Sequence, residues 1–227
     1  MINERLNFSP MDRFDVIAFD LDGTLSDPSV GLVTGFCYGL SRMGVSYGEK
    51  QSLRRFIGPP LFEAWCSEFG FDREQCDRAI SLFREYYTVY GWRENTVYPG
   101  IYEMLDRLIK AGKTLVVATS KPEEQARKII TLFGMDKYFA YVGGAISHHQ
   151  RATKAEVLKY SLESAGVSDL SRVILVGDRS FDARGAAVLG IPSLGVLWGH
   201  GTEEELSSAG FERIVSTPHE AVDFLLS

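Results

Sequence analysis

Val16-Ile17-Ala18-Phe19-Asp20-Leu21-Asp22-Gly23-Thr24 sets four apolar residues directly before two carboxylates and a glycine. The apolar run is short, lacks polar alternation and stops abruptly at charge, as a strand buried on both faces of a parallel sheet would. Comparable runs lie at 115–118, 173–176 and 194–197, with a weaker one at 139–142. Between them, apolar residues follow helical spacing, as at Ile101, Met104, Leu105, Leu108 and Ile109, and again at Ala126, Ile129, Ile130 and Phe133. This alternation predicts an α/β fold with a doubly wound parallel sheet.

One region interrupts the alternation. From 27 to 95 no strand pattern is found, while helical spacing recurs at Phe36, Leu40 and Met43, at Leu61, Trp65 and Phe69, and at Ile80, Phe83, Tyr87 and Tyr90. The expected organisation is an N-terminal extension (1–13), an α/β core (14–26 and 96–227) and a helical insert (27–95) placed after the first strand. Met11, just before the first strand, suggests that the leading ten residues are dispensable to the fold.

Composition narrows the function classes. The 227 residues are 45% hydrophobic and 24% charged, enough for a full core. A formal charge of −6 argues against a nucleic acid polymer or an anionic membrane as partner, since both select basic surfaces. Cys37, Cys66 and Cys76 lack Cys-x-x-Cys spacing and sit among apolar residues, so they are expected as buried, reduced thiols. With no apolar leader and no run approaching about 20 apolar residues, a cytoplasmic location is expected.

Ligands of open parallel sheets bind beyond the carboxyl ends of the strands. The first strand ends in Asp20, with Asp22 two residues on; the second in Thr119-Ser120-Lys121; a later one in Gly177-Asp178, followed by Asp182. So many carboxylates around one crevice need a cation. Oxygen ligands suit Mg²⁺, with the Asp20 and Asp178 side chains and the Asp22 carbonyl as expected ligands. Asp20 could then attack a phosphoryl group, Asp22 could serve as acid and base, and Gly23 allows the turn that aims amides at phosphate.

Thr153-Lys154-Ala155-Glu156 has capping-box spacing, which puts Lys154 in a first helical turn, against the dipole. It reads either as a solvated lysine or as a partner of Asp20 or the phosphate. Ser120 and Glu123 have the same spacing, which would occupy the Ser120 hydroxyl and leave Thr119 as the better phosphate donor, with a nearby amide still available. Asp182 reads as a dipole partner at a helix N-terminus, as a direct metal ligand or, by preference, as a residue bonded to Lys154 or a metal-bound water. Arg151 is an anion contact or a solvated loop residue, His148-His149 reads as a polar loop rather than a metal site, and His200 is placed at the crevice mouth.

Together, Asp20-x-Asp22-Gly23-Thr24, Thr119, Lys154 and Gly177-Asp178-x-x-x-Asp182 resemble the four motifs of the haloacid dehalogenase superfamily of phosphohydrolases, over nearly the whole chain. The resemblance implies a Rossmann-like core with a small helical cap domain that closes over substrate. Asp22 argues for phosphate chemistry, because the dehalogenases and phosphonatases of the superfamily lack that second acid. Ile57-Gly58-Pro59-Pro60-Leu61, Val97-Tyr98-Pro99-Gly100 and Val176-Gly177-Asp178-Arg179-x-x-Asp182 look like the phosphoglycolate phosphatase-like branch, whose members act on phosphoglycolate, nucleotides or pyrophosphate. Two positions depart from it: Ser120 stands where Asn is frequent, and Ala155 where Pro often follows the motif lysine. The expected function is Mg²⁺-dependent hydrolysis of a small phosphorylated metabolite through an aspartyl-phosphate, by a monomer or homodimer. A nucleotidase, a pyrophosphatase, a sugar-phosphate mutase and a non-catalytic binding protein are the alternatives.

Overall fold

The computed structural model describes residues 13–58, 61–146 and 151–227. The N-terminal extension before Arg13, the Pro59-Pro60 pair and the His148-His149 loop therefore lie outside the described residues. The chain forms two compact units, one running to Leu25 and resuming over Val97–Ser227, the other Ser26–Thr96.

In the first unit six strands form one sheet: β1 (Val16–Phe19), β4 (Thr114–Pro122), β5 (Phe139–Ala145), β6 (Val173–Gly177), β7 (Ser193–Val196) and β8 (Arg213–Val215). Their order is β5-β4-β1-β6-β7-β8, and every pairing is parallel. The remaining strands, β2 (Ser26–Asp27) and β3 (Thr96–Val97), make a separate short ribbon. The chain builds outward from β1 through β4 to β5, then crosses back to lay β6 on the other side of β1. Strand order thus reverses at β1, and the carboxyl end of β1 is the place where a crevice opens in such sheets.

Burial on both faces explains the continuous apolar runs. Ala18, Ala118, Val173 and Leu175 pack against Val157, Leu158 and Leu162 of α6 (Lys154–Ser164) and Ala186 of α7 (Ser180–Val188). Their neighbours in the pleat, Ile17, Phe19, Val117, Ile174 and Val176, alternate to the opposite face and are also fully buried. The helices α4 (Ile101–Lys110), α5 (Glu123–Leu132), α8 (Glu203–Ala209) and α9 (Pro218–Leu225) complete the unit. Strand β8 had no apolar run to announce it: at the sheet edge Arg213 is exposed, and only Val215 is buried.

The second unit is helical, with α1 (Ser29–Arg42), a 3₁₀ segment (Lys50–Phe56), α2 (Leu61–Phe69) and α3 (Arg73–Tyr87). Asp72 starts α3 with a capping box, accepting from the Gln75 N–H at 2.8 Å while its own N–H donates to Gln75 Oε1 at 3.0 Å. The unit's core is aromatic: Trp65 is fully buried, with ring centroids of Phe36 at 5.5 Å, Phe69 at 6.3 Å and Phe83 at 6.3 Å, mostly edge to face.

The structure corrects the expectation of three reduced thiols. Cys66 of α2 and Cys76 of α3 are joined as a disulfide, with Cα atoms 5.9 Å apart, and only Cys37 is free. The two helices bring the pair together, a juxtaposition that their spacing in the chain does not reveal. Among the described residues no helix is long and apolar enough to cross a membrane.

Replacing Trp65 by Ala should cost the helical unit about 3–5 kcal/mol, the usual range for emptying a large aromatic site. Guanidinium titration followed by far-ultraviolet circular dichroism should show part of the helical signal lost at lower denaturant. An unchanged profile would count against Trp65 as the keystone of that core.

Candidate active site

Three adjacent strands deliver the central residues. Asp20 follows the last residue of β1, and its N–H still donates to the Val176 carbonyl at 2.9 Å, so the sheet ladder holds its backbone. Asp178 follows β6, on one side of β1, and Thr119 lies near the end of β4 on the other. Lys154 arrives from the first turn of α6, where the predicted capping box is present: Thr153 Oγ1 accepts from the Glu156 N–H at 3.3 Å, and Glu156 Oε2 accepts from the Thr153 N–H at 2.9 Å. Fixed there, the buried Lys154 ammonium stands 3.0 Å from Asp20 Oδ1 and 2.6 Å from Asp182 Oδ1. These two carboxylates offset the unfavourable end of the helix dipole.

Carboxylate oxygens of Asp20, Asp178 and Asp182 all lie within 4.8 Å of one another. Two like charges at about 4 Å repel by roughly 4 kcal/mol even at an effective dielectric constant of 20. The strain shows in the proton affinities. Burial first, then the Asp182 and Asp20 charges, drive Asp178 well above the usual carboxylate range. Burial likewise pushes Asp182 up to about 6, although Lys154 opposes the rise. Burial pulls the Lys154 ammonium down, but the Asp182 and Asp20 carboxylates more than offset this and hold it above the ordinary lysine range. A buried donor set of oxygens alone, with more negative than positive charge, fits a hard divalent cation.

The Asp178 carboxylate is aimed from two sides. Thr24 Oγ1 donates to Oδ1 at 3.2 Å, and the His200 backbone N–H donates to Oδ2 at 2.8 Å. The loop carrying His200 is tied back by Trp198 Nε1, which donates to the Thr24 carbonyl at 2.9 Å. Gly23 turns at φ +89°, and any Cβ there would overlap the Asp178 carboxylate, so glycine is required on both counts.

Asp22 is held apart from this cluster. Its Oδ2 accepts from Lys121 Nζ at 2.6 Å, with both side chains largely buried. Thr119 is buried, and its Oγ1 accepts from the Lys121 N–H at 3.2 Å, leaving the hydroxyl proton able to point elsewhere. The capping box predicted for Ser120 is not formed: Ser120 is an exposed residue of β4, and α5 begins at Glu123 after Pro122. Proline biases the residue before it toward extended backbone, so the helix cannot start at Ser120. Glu123 instead accepts from Arg151 at 2.9 Å. Arg151 also lies 3.5 Å over the Tyr160 ring, so it is neither a solvated loop residue nor aimed at the Asp cluster.

Sequence reasoning set His200 at the crevice mouth but missed Lys121, Thr24 and the His200 backbone amide as partners of the carboxylates. A signal existed for Lys121, because it stands two residues past Thr119 in a strand whose burial alternates over 119–122. For the bond from the His200 amide to Asp178 there was none, since a backbone amide acts whatever the side chain.

Comparisons with known proteins identify the family of the chain. The haloacid dehalogenase-like hydrolase family matches residues 17–196. A 5'-nucleotidase of Pseudomonas aeruginosa is 38% identical over 194 residues, covering 86% of this chain and 87% of its own. Tyrosine-protein kinase PtkA of Mycobacterium tuberculosis is also 38% identical over 194 residues, 85% of this chain, which spans 65% of that longer protein. A phosphoglycolate phosphatase of Mesorhizobium japonicum is 30% identical over 190 residues, 82% of this chain and 83% of its own. A solved structure of a candidate phosphatase from Clostridium difficile superposes with a TM-score of 0.85 at 39% identity, covering 94% of this chain and 99% of that one. With its family match running from β1 to the end of β7, this chain belongs to the haloacid dehalogenase-like hydrolases and is an enzyme of their phosphate-ester-hydrolysing kind.

Proposed function

We propose that the chain hydrolyses a small phosphate monoester, with Mg²⁺ as its divalent ion, through a covalent phosphate ester of Asp20. The observation that carries this reading is the Lys154 ammonium shared by Asp20 and Asp182 beside Asp178, at the carboxyl end of β1. Asp20 and Asp178 are the proposed side-chain ligands, joined by the Asp22 carbonyl, while Asp182 serves chiefly to hold Lys154. Bound there, Mg²⁺ would screen the repulsion between an attacking carboxylate and an anionic phosphate.

The remaining steps belong to the chain itself. The Asp20 carboxylate forms a bond to phosphorus as the bond to the leaving oxygen breaks, and Asp22 gives that oxygen its proton. Asp22 then takes a proton from a water molecule, whose oxygen bonds to phosphorus as the Asp20–phosphorus bond breaks. Phosphate leaves and Asp20 is restored. Lys154, the Thr119 hydroxyl and backbone amides at Gly23 and Ser120 are the proposed holders of the phosphoryl oxygens. The helical unit Ser26–Thr96 is proposed as the family's cap domain.

For the substrate, the phosphoglycolate phosphatase-like motifs favour a small phosphorylated acid. A nucleoside 5'-monophosphate is the second reading, favoured by the 38% identity to the Pseudomonas aeruginosa nucleotidase.

Three results are expected. A panel of phosphorylated metabolites should release phosphate with Mg²⁺ and cease to do so with excess chelator; undiminished turnover in chelator would remove the metal from the reading. Asp20→Asn should lower kcat by at least about a thousandfold, as loss of a covalent nucleophile does, and a purified variant with parental activity would sink the assignment. Gly199→Ala would place a methyl group against the Gly23 carbonyl and the Asp178 carboxylate. The rise in Tm that Mg²⁺ gives the parent should therefore shrink in this variant; an equal rise would show that Asp178 needs no such shaping.

A further inference from the structure

The geometry points to Lys121 as the positioning residue that confines the working proton of Asp22 to one carboxyl oxygen, Oδ1. This rests on the acid/base role proposed for Asp22. Lys121 Nζ donates to Asp22 Oδ2 at 2.6 Å, and only 4% of the Lys121 side chain is exposed. An ammonium carries donors and no lone pair, and a proton on Oδ2 would weaken that oxygen as the acceptor Lys121 needs, so the proton favours Oδ1. The second oxygen, Oδ1, is buried and makes no hydrogen bond within the protein. A buried carboxylate oxygen without a partner is costly, and its persistence calls for a role. With Oδ2 held by Lys121, Oδ1 is the atom left to give and receive a proton.

The same residue sets a second orientation. Its backbone N–H donates to Thr119 Oγ1 at 3.2 Å, which occupies a lone pair of that hydroxyl and leaves its proton free to be donated. Lys121 thereby acts on both sides of the reaction, through its main chain on a proposed phosphate donor and through its ammonium on the proposed acid. In the first step the Asp22 Oδ1 proton passes to the leaving oxygen as that oxygen's bond to phosphorus breaks. In the second a water proton returns to Oδ1 as the water oxygen bonds to phosphorus and the Asp20–phosphorus bond breaks. Without Lys121 the carboxyl group can rotate, and its proton divides between two oxygens of which one is well placed.

Leaving groups of different basicity separate this role from plain structural support. A 4-nitrophenolate departs without a proton, whereas an alkoxide needs one, and kcat/KM reports the steps through leaving-group departure. The full chain with Mg²⁺ is assayed on 4-nitrophenyl phosphate and on a simple alkyl phosphate, for the parent, Lys121→Met and Lys121→Ala. Each variant is expected to lose about tenfold more kcat/KM on the alkyl than on the aryl ester, a fraction of the roughly hundred- to ten-thousandfold that general acid catalysis supplies. Because the ratio is taken within one preparation, a partly folded sample leaves it unmoved, and either variant alone suffices. Equal losses on the two esters, or no loss, would overturn the proposal. Asp22→Asn tells its failure apart from failure of the underlying reading: a parental alkyl-to-aryl ratio in that variant would show that Asp22 is not the acid at all.

Discussion

Everything at the site depends on forcing three carboxylates, Asp20, Asp178 and Asp182, to within 4.8 Å of one another in a largely dry place. Lys154 neutralises one charge, bridging Asp20 and Asp182. What remains is two negative charges, which a divalent cation would balance, and the donors are all hard oxygens. Left to themselves such groups would keep their protons, which is the direction in which burial and mutual repulsion move Asp178 and Asp182. The cluster is thus a repulsion held in place by the fold, as a site selected for cation and phosphate binding would be.

That hold comes from sheet topology. Placing β4 and β6 on either side of β1 brings the ends of three strands together, and parallel pairing sends all three the same way. The buried apolar runs keep those ends from shifting: Val16–Phe19 is flanked in register by 114–117 on one side and 173–176 on the other. Helices α6 and α7 pack on the same sheet face through Val157, Leu158 and Ala186, which sets the distance between Lys154 and Asp182. Packing in the hydrophobic layer therefore determines electrostatic geometry several residues away.

Names differ widely among relatives of similar identity: a nucleotidase, a tyrosine kinase and a phosphoglycolate phosphatase all align over more than four fifths of this chain. A shared core with divergent names is what a phosphoryl-transfer site grafted on a common fold produces. On the proposed reading the chemistry of Asp20 is shared with such relatives, and the choice of leaving group and acceptor falls to residues around it.

How much was legible follows from the kind of physics involved. Strands β1, β4 and β6 could be read directly, because burial on both faces writes itself as continuous Val, Ile, Leu and Ala. Strand β8 could not, because an edge strand with one buried residue leaves no such mark. Asp20, Asp178 and Lys154 were nameable from strand ends and a capping box, both local patterns. The ion pair of Lys121 with Asp22, the Glu123 and Tyr160 partners of Arg151, and the Cys66–Cys76 disulfide join residues whose proximity no local period encodes. The sequence by itself determined the succession of buried strands along the chain and the residue types at their ends, since propensity and burial act along the chain. Only the tertiary structure decided which carboxylates share Lys154 and which one answers to Lys121, because charges select partners by distance through space.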